Sequence, residues 1–257
     1  MGGHAAHGRT LGGMDDAEVL FLHPIGLDHR TADWLRLPPF IAPDLPGHGV
    51  RGVPRAGLTL DDVADEIAGW IRRPVDVVGA LIGGTAALHL ALRHPQLVRS
   101  LLIADTGART DREHLLARAD AVAAGDLMVE ETLVRWFGAD RMDDPDPPEP
   151  VRYARRSLSA MAPESMAAMW RALAGHDITD ELARLTMPVT IVAGTRDVVH
   201  PPAEQAGLAA SLPLAQLIEI DAQHMSPLDE PDLFSAAIAT HLEWAGSVGN
   251  HIVEVRF

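Results

Sequence analysis

The 257-residue chain contains no cysteine. That excludes disulfides and thiol nucleophiles, and it removes any inference about redox compartment. Positive charge is also scarce, since 21 basic residues against 36 acidic ones leave a formal net charge of −15. Such a chain repels nucleic acid and anionic membrane, so neither is expected as a partner, and a solvated acidic surface is the plain reading. The most apolar stretch, residues 75–92, is broken by Gly79, Gly83, Gly84 and His89. It divides better into a strand, a tight turn and a helix than into a membrane span. The opening MGGHAAHGRTLGGMDD has no apolar core and does not read as a secretory signal, so a cytoplasmic location is expected. His4 and His7 have a metal-like spacing there, but a glycine-rich terminus leaves them solvated. No metal site is expected, and no internal repeat or low-complexity segment is evident.

What is present is a sizeable apolar fraction, 47% of residues, enough to bury one large core or two small ones. Short β-prone apolar runs recur at residues 19–22, 41–42, 75–78, 101–104, 189–193 and 217–220. They are nearly continuous rather than alternating, as strands covered on both faces are. Helical patterns separate most of them, which predicts a mostly parallel sheet flanked by helices. Between residues 104 and 189 the rhythm breaks and amphipathic helices replace strands. A capping box of Thr110 and Glu113 is expected to open the first of them. Further helices are expected near residues 127–137, 151–161 and 163–174, with the acidic, proline-rich run 143–150 as a loop or hinge. The predicted organisation is a core of residues 15–109 and 187–245, a helical cap of residues 110–186, and a tail of residues 246–257. The β-prone end of that tail is expected as an edge strand or a frayed terminus.

The informative segment is Asp76-Val77-Val78-Gly79-Ala80-Leu81-Ile82-Gly83-Gly84-Thr85. A buried strand enters a glycine-flanked turn and a helix begins at once, the setting of a nucleophile elbow with the pattern G-x-S-x-G. Gly79 and Gly83 are the flanks, so the tip is Leu81, which cannot attack a carbonyl. Downstream, Asp197 follows a strand and His224 follows the last strand, the order expected of an acid and a histidine. The acid fixes the imidazole tautomer while the histidine moves protons. An oxyanion hole needs only backbone N–H groups, expected from Ile82 and from Ile25 in His23-Pro24-Ile25-Gly26. Pro24 has no N–H to give. Asp28, His29 and Arg109 fall on loops that should border a pocket, Asp105 ends a strand beside the elbow strand, and Trp136 and Phe137 sit on a cap helix. These six are candidates for the substrate pocket, against a plainer reading of Asp105 as a loop cap and of Trp136 and Phe137 as cap core. The turn's glycines also faintly resemble a dinucleotide-binding loop, but they lack its full pattern, and the downstream acid and histidine have no place in that reading.

The segments FLHPIGLD, APDLPGHG, DVVGALIGG, LLIADTGAR, VRWF, DELARLTMPVTIVAGTRD and DAQHMSPLDEP together resemble the α/β-hydrolase superfamily. Their spacing is most similar to its 3-oxoadipate enol-lactonase branch. The resemblance runs from about Val19 to Trp244 and implies the α/β-hydrolase fold with an inserted helical cap. It also implies a triad in which Asp197 and His224 match and Leu81 does not.

Three functions remain open on the sequence. The first is a cofactor-free enzyme in which His224 acts as acid or base on a small carbonyl-containing metabolite, with an enolate in the oxyanion hole. Elimination, decarboxylation, isomerisation or ring closure would fit. The second is hydrolysis of an activated ester or enol-lactone by His224-activated water. The third is a non-catalytic binding or partner module. Arg135, Arg152, Arg155 and Arg156 on the cap permit a carboxylated substrate without requiring one, and homodimerisation is left open. All three share one expectation. A serine-directed organophosphonate should leave the intact mass unchanged, and an adduct would remove their common premise.

Overall fold

The computed structural model describes residues 8–10 and 17–254, with side chains from 17 to 248. Seven strands form one sheet among the described residues: β1 (Gly8–Thr10), β2 (Val19–Leu22), β3 (Phe40–Pro43), β4 (Val75–Ala80), β5 (Val98–Ala104), β6 (Val189–Gly194) and β7 (Ala215–Ile220). Their spatial order is β1-β3-β2-β4-β5-β6-β7, with all neighbours parallel except β1, which runs antiparallel to β3. The near-continuous apolar runs are explained by cover on both faces. Every residue of β2, β4 and β6 is buried, whereas β7 at the sheet edge is mostly half-buried.

Helices α1 (Leu60–Ala68) and α2 (Ile82–Arg93) belong to the sheet-covering layers, with α8 (Pro202–Ala210), α9 (Ser226–Asp229) and α10 (Pro231–Glu254). Between β5 and β6 lie the five helices α3 (Arg112–Ala123), α4 (Val129–Phe137), α5 (Ala139–Met142), α6 (Glu149–Ala160) and α7 (Pro163–Leu173). This insertion packs on itself, chiefly α3 on α7 and α4 on α6. No helix among the described residues is long and apolar enough to cross a membrane.

Two local expectations are corrected. The cap of α3 is Asp111, whose carboxylate accepts from the His114 N–H at 3.0 Å, because the Thr110 hydroxyl is already spent on the Leu173 carbonyl at 2.9 Å. The reciprocal capping box instead opens α1, between Thr59 and Asp62. The C-terminal residues 252–254, expected as an edge strand or frayed tail, continue α10, and 255–257 lie outside the described residues. The added edge strand comes from the other end, at β1. His4 and His7 also lie outside the described residues.

The β4–α2 turn has no room for side chains at its glycines. A Cβ on Gly83 would lie 2.1 Å from the Leu22 carbonyl oxygen, and one on Gly79 would lie 2.5 Å from the Gly83 carbonyl oxygen. Those atoms belong to backbone and cannot rotate away. On an open helix, Gly83→Ala would stabilise by about 1 kcal/mol. Here the overlap should reverse the sign and cost roughly 1–3 kcal/mol or more. Urea denaturation tests this, and a variant as stable as the parent would contradict it.

Candidate active site

Leu81 sits between β4 and α2 with φ 50° and ψ −124°, outside the conformations a leucine prefers. Two hydrogen-bonded anchors hold it there. Its N–H donates to the Ala104 carbonyl at 3.1 Å. Its own carbonyl accepts from the Thr85 N–H at 2.9 Å and the Thr106 hydroxyl at 3.0 Å. Thr106 was not anticipated from sequence, since a threonine after a strand carries no signal of its own.

Leu81 forms part of a cavity of about 1230 Å³ between sheet and cap. Ile25, Ile82, Asp105 and His224 line the same cavity, as do Arg109 and Trp136 from the candidate set. Ile82 is the first residue of α2, where an N–H has no intrahelical acceptor. Ile25 lies in a loop braced by two buried histidines. The Gly26 N–H donates to His48 Nε2 at 3.0 Å, and the Leu45 N–H donates to His23 Nε2 at 2.9 Å. Burial drives both rings toward the neutral form that can accept, His23 to about 4 and His48 to about 3. Both brace residues are visible in the segments FLHPIGLD and APDLPGHG, but their partnership spans 22 residues and shows only in three dimensions.

The acid and histidine meet. His224 Nδ1 donates to Asp197 Oδ2 at 2.9 Å, and Asp197 Oδ1 accepts from the Val199 and His200 N–H groups at 2.7 and 3.0 Å. Burial works to raise the Asp197 pKa, but the bond from His224 and the backbone N–H groups hold it below the usual carboxylate value. Burial lowers the His224 pKa despite the opposing pull of Asp197. The imidazole is therefore neutral near pH 7, with Nε2 as its free, proton-accepting nitrogen beside the cavity.

Asp105 completes a buried cluster. One of its carboxylate oxygens, a carboxylate oxygen of Asp197 and a ring nitrogen of His224 lie within 4.8 Å of one another. Oδ2 accepts from the Ser226 N–H and hydroxyl at 3.1 and 2.8 Å, while Oδ1 has no partner. Burial, and then the charge of Asp197, push the Asp105 pKa well above its ordinary value. The proton of the pair belongs on Asp105, because Asp197 receives the donors that stabilise a carboxylate.

Three candidates lie elsewhere. Asp28 caps the 3-10 turn His29–Trp34, pairs with Arg30 at 2.6 Å and accepts from the Tyr153 hydroxyl at 2.9 Å, fastening cap to core. His29 is held by Asp44 at 2.8 Å. Phe137 is a buried core ring packed edge-on to Trp136 at 6.4 Å. Asp28, His29 and Asp44 also bring ligand-type atoms within 4.8 Å, but Arg30 and the His29 N–H already engage those carboxylates. The cap–site connection runs through Trp136, whose carbonyl accepts from the Met225 N–H at 3.1 Å, next to His224.

Comparison with known proteins places this geometry. Residues 19–237 match the profile described as the Alpha/beta hydrolase family. The chain is 35% identical over 210 residues to a pimeloyl-[acyl-carrier protein] methyl ester esterase of Chromobacterium violaceum, covering 78% of this chain and 82% of that one. It is 25% identical over 202 residues to 3-oxoadipate enol-lactonase 2 of Acinetobacter baylyi, covering 76% and 75%. Among solved structures, a thermophilic esterase from Thermogutta terrifontis superposes with a TM-score of 0.81 at 26% identity, covering 89% of this chain and 90% of that one. An enol-lactonase from Burkholderia xenovorans LB400 gives 0.84 at 23% identity, covering 91% and 95%, a likeness of fold alone.

The Asp105 carboxyl makes a pH prediction. A carboxyl whose folded pKa is raised binds its proton more tightly in the folded state, so its contribution falls as pH rises above the ordinary value of 3.8. The slope is at most about 1.4 kcal/mol per pH unit. The shifts of Asp197 and His224 act the other way, in the ranges below their own ordinary values. Asp105→Asn keeps an acceptor for Ser226, tolerates the residue's φ of 55°, and removes the titration. Its stability relative to the parent should therefore improve between pH 5 and pH 8 in urea melts. A constant gap across that interval would refute the assignment.

Proposed function

Because this chain belongs to the alpha/beta hydrolase family, we propose that it is a hydrolase that opens an activated ester or enol-lactone with water in place of a side-chain nucleophile. The observation that carries this reading is His224, oriented by Asp197 at 2.9 Å and sharing a cavity with Leu81. The chain has neither cysteine nor lysine. The hydroxyls nearest the turn, Thr85 and Thr106, are donating to the Leu81 carbonyl, and that of Ser226 to Asp105. The nucleophile is therefore water.

In the proposed step His224 Nε2 takes a proton from water as its oxygen bonds to the acyl carbon. The carbonyl oxygen becomes an oxyanion facing the Ile25 and Ile82 N–H groups. Collapse breaks the acyl–oxygen bond, and the leaving enolate recovers a proton from the imidazolium. The products are a carboxylic acid and a ketone or enol. Losing a triad serine removes roughly a millionfold in turnover and leaves about a thousandfold from binding and the oxyanion hole. Only a substrate with a good leaving group suits that residual power, which favours an enolate over an alkoxide.

The lyase- and isomerase-type reactions that head the readings open on the sequence use the same base. The relatives' names, esterase and enol-lactonase, weigh toward hydrolysis. A small-molecule substrate is proposed with it, and no cofactor takes part in the step.

Two probes test the proposal, α-angelica lactone and 4-nitrophenyl acetate. Turnover in heavy-oxygen water should place one label in the product carboxylate. His224→Ala should cost at least about a hundredfold in kcat/KM, as expected for a lost general base. Leu81→Ser should add a burst of 4-nitrophenol, since it returns an acyl-accepting oxygen to the turn. Unlabelled product, or turnover unchanged in His224→Ala, would defeat the mechanism. Binding without turnover of either probe would leave the protein as a binding module.

A further inference from the structure

Three arginines line the cavity, Arg109, Arg118 and Arg135. The first is part of a local balance. Asp177, opposite Arg109 in an isolated β-bridge, is held below the usual carboxylate range by the bonds from Thr179 and then by the charge of Arg109. The other charged groups on the wall are also answered nearby. Glu204 engages His200 at 3.0 Å, and Asp111 is occupied as the cap of α3.

Arg118 is different. Its side chain is only 4% exposed, so a guanidinium has been carried into the protein. Nη2 donates to the Thr132 hydroxyl at 2.5 Å and the Trp170 ring lies 4.9 Å from Cζ, but Nε has no partner at all. The nearest carboxylate, Glu131, stands 3.6 Å from Nη1 and is itself 60% exposed. Arg135 forms the closer ion pair with that same carboxylate oxygen. Two cations thus share one carboxylate that is mostly in water, and buried charge without a matching partner is costly. Arg118 responds as a group short of negative charge should: burial, and then repulsion from Arg135, lower its pKa to about 10. The other cap arginines do not share this condition. Arg152 and Arg156 pair with Glu149, and Arg155 pairs with Glu130, all on the exposed face.

We propose that Arg118 and Arg135 form an anion subsite in the cap wall that holds a single carboxylate group of the substrate. The inference rests on reading the cavity as the ester-binding site and adds the chemical class of its ligand. The pair already shares Glu131, and the charge of Asp126 also reaches Arg118, so a monoanion suits the remaining need better than a phosphate dianion, which would overshoot it. Arginine also offers paired N–H groups that match a carboxylate's two oxygens. Trp136 and Trp170 line the same cavity and supply apolar wall for a spacer between the carboxylate and the ester. The charge of Arg135 reaches His224 and works to lower its pKa. A carboxylate bound at Arg135 offsets that charge and strengthens the base when substrate is present.

The test is calorimetric titration of the intact protein with hexanoate, hexanamide and hexyl phosphate at pH 7, which reads binding without requiring turnover. Hexanoate should bind at least tenfold more tightly than hexanamide, and at least as tightly as hexyl phosphate. The preference for hexanoate should vanish in Arg118→Gln and fall severalfold in Arg135→Gln, while Arg118→Lys keeps part of it. Arg171→Gln, at an exposed pair with Asp120, should change nothing. Should Arg118→Gln fail to fold, Arg135→Gln and the choice among the three probes still decide the matter. Equal binding of acid and amide, a preference that survives both glutamine variants, absence of hexanoate binding, or tighter binding of hexyl phosphate would each overturn the subsite. A hexanoate preference without ester turnover would uphold it and count against the hydrolytic reading. Ester turnover without the preference would do the reverse.

Discussion

The turn between β4 and α2 imposes the constraint from which the site follows. A strand must become a helix within one residue, which is possible only if that residue adopts a positive φ and the close-packed positions 79, 83 and 84 around it carry no Cβ. Gly79, Gly83 and Gly84 meet the second requirement, since backbone or Thr106 occupies the space a side chain would need. Leu81 meets the first against its own preference, at a cost of about 1–3 kcal/mol. Glycine would relieve that strain. Leucine retains it and presents an apolar side chain to the cavity, where the family pattern has a serine hydroxyl. The same turn leaves the Ile82 N–H at the start of a helix, so the stabilising dipole for an oxyanion does not depend on what residue 81 carries.

Around this turn, three buried titratable groups divide one proton. Asp197 keeps its charge because His224 and two backbone N–H groups bond to it. Asp105, with a partner for one oxygen only, accepts the proton instead. Two charged carboxylates so close would repel strongly, whereas one charged and one neutral carboxyl leave the imidazole neutral and basic. That distribution suits the general-base role proposed for His224.

The cap contributes by electrostatics as well as by shape. Tyr153 and Asp28 fasten it to the loop beside Ile25, and Trp136 fastens it to the loop of His224. Its inner wall carries Arg118 and Arg135, which share the single Glu131 carboxylate, although the protein as a whole is strongly acidic. Local cations inside an acidic shell can select a small anion while the exterior repels larger polyanions.

Much of this was legible in the chain itself, because local chemistry dictates local geometry. Continuous apolar runs marked buried parallel strands, glycines at 79 and 83 marked the turn, and the order of Asp197 and His224 marked the dyad. These signals rest on residue type and short spacing. Expectations failed where a residue's role depends on a partner far along the chain. Thr110 reads as a helix cap until the Leu173 carbonyl claims its hydroxyl, and Asp28 and His29 read as pocket residues until Arg30, Tyr153 and Asp44 engage them. The β-prone end of the chain joined a helix through residue 254. Arg118 gave no sign at all. An arginine on an amphipathic helix is ordinarily solvated, and only the packing of α3 against α7 and the pairing of Glu131 with Arg135 leave this one buried and underneutralised. Composition and periodicity determined the layers and the turn. Burial and long-range pairing, which no short window of sequence contains, decided which charges are matched and which, like that of Arg118, are left short of a partner.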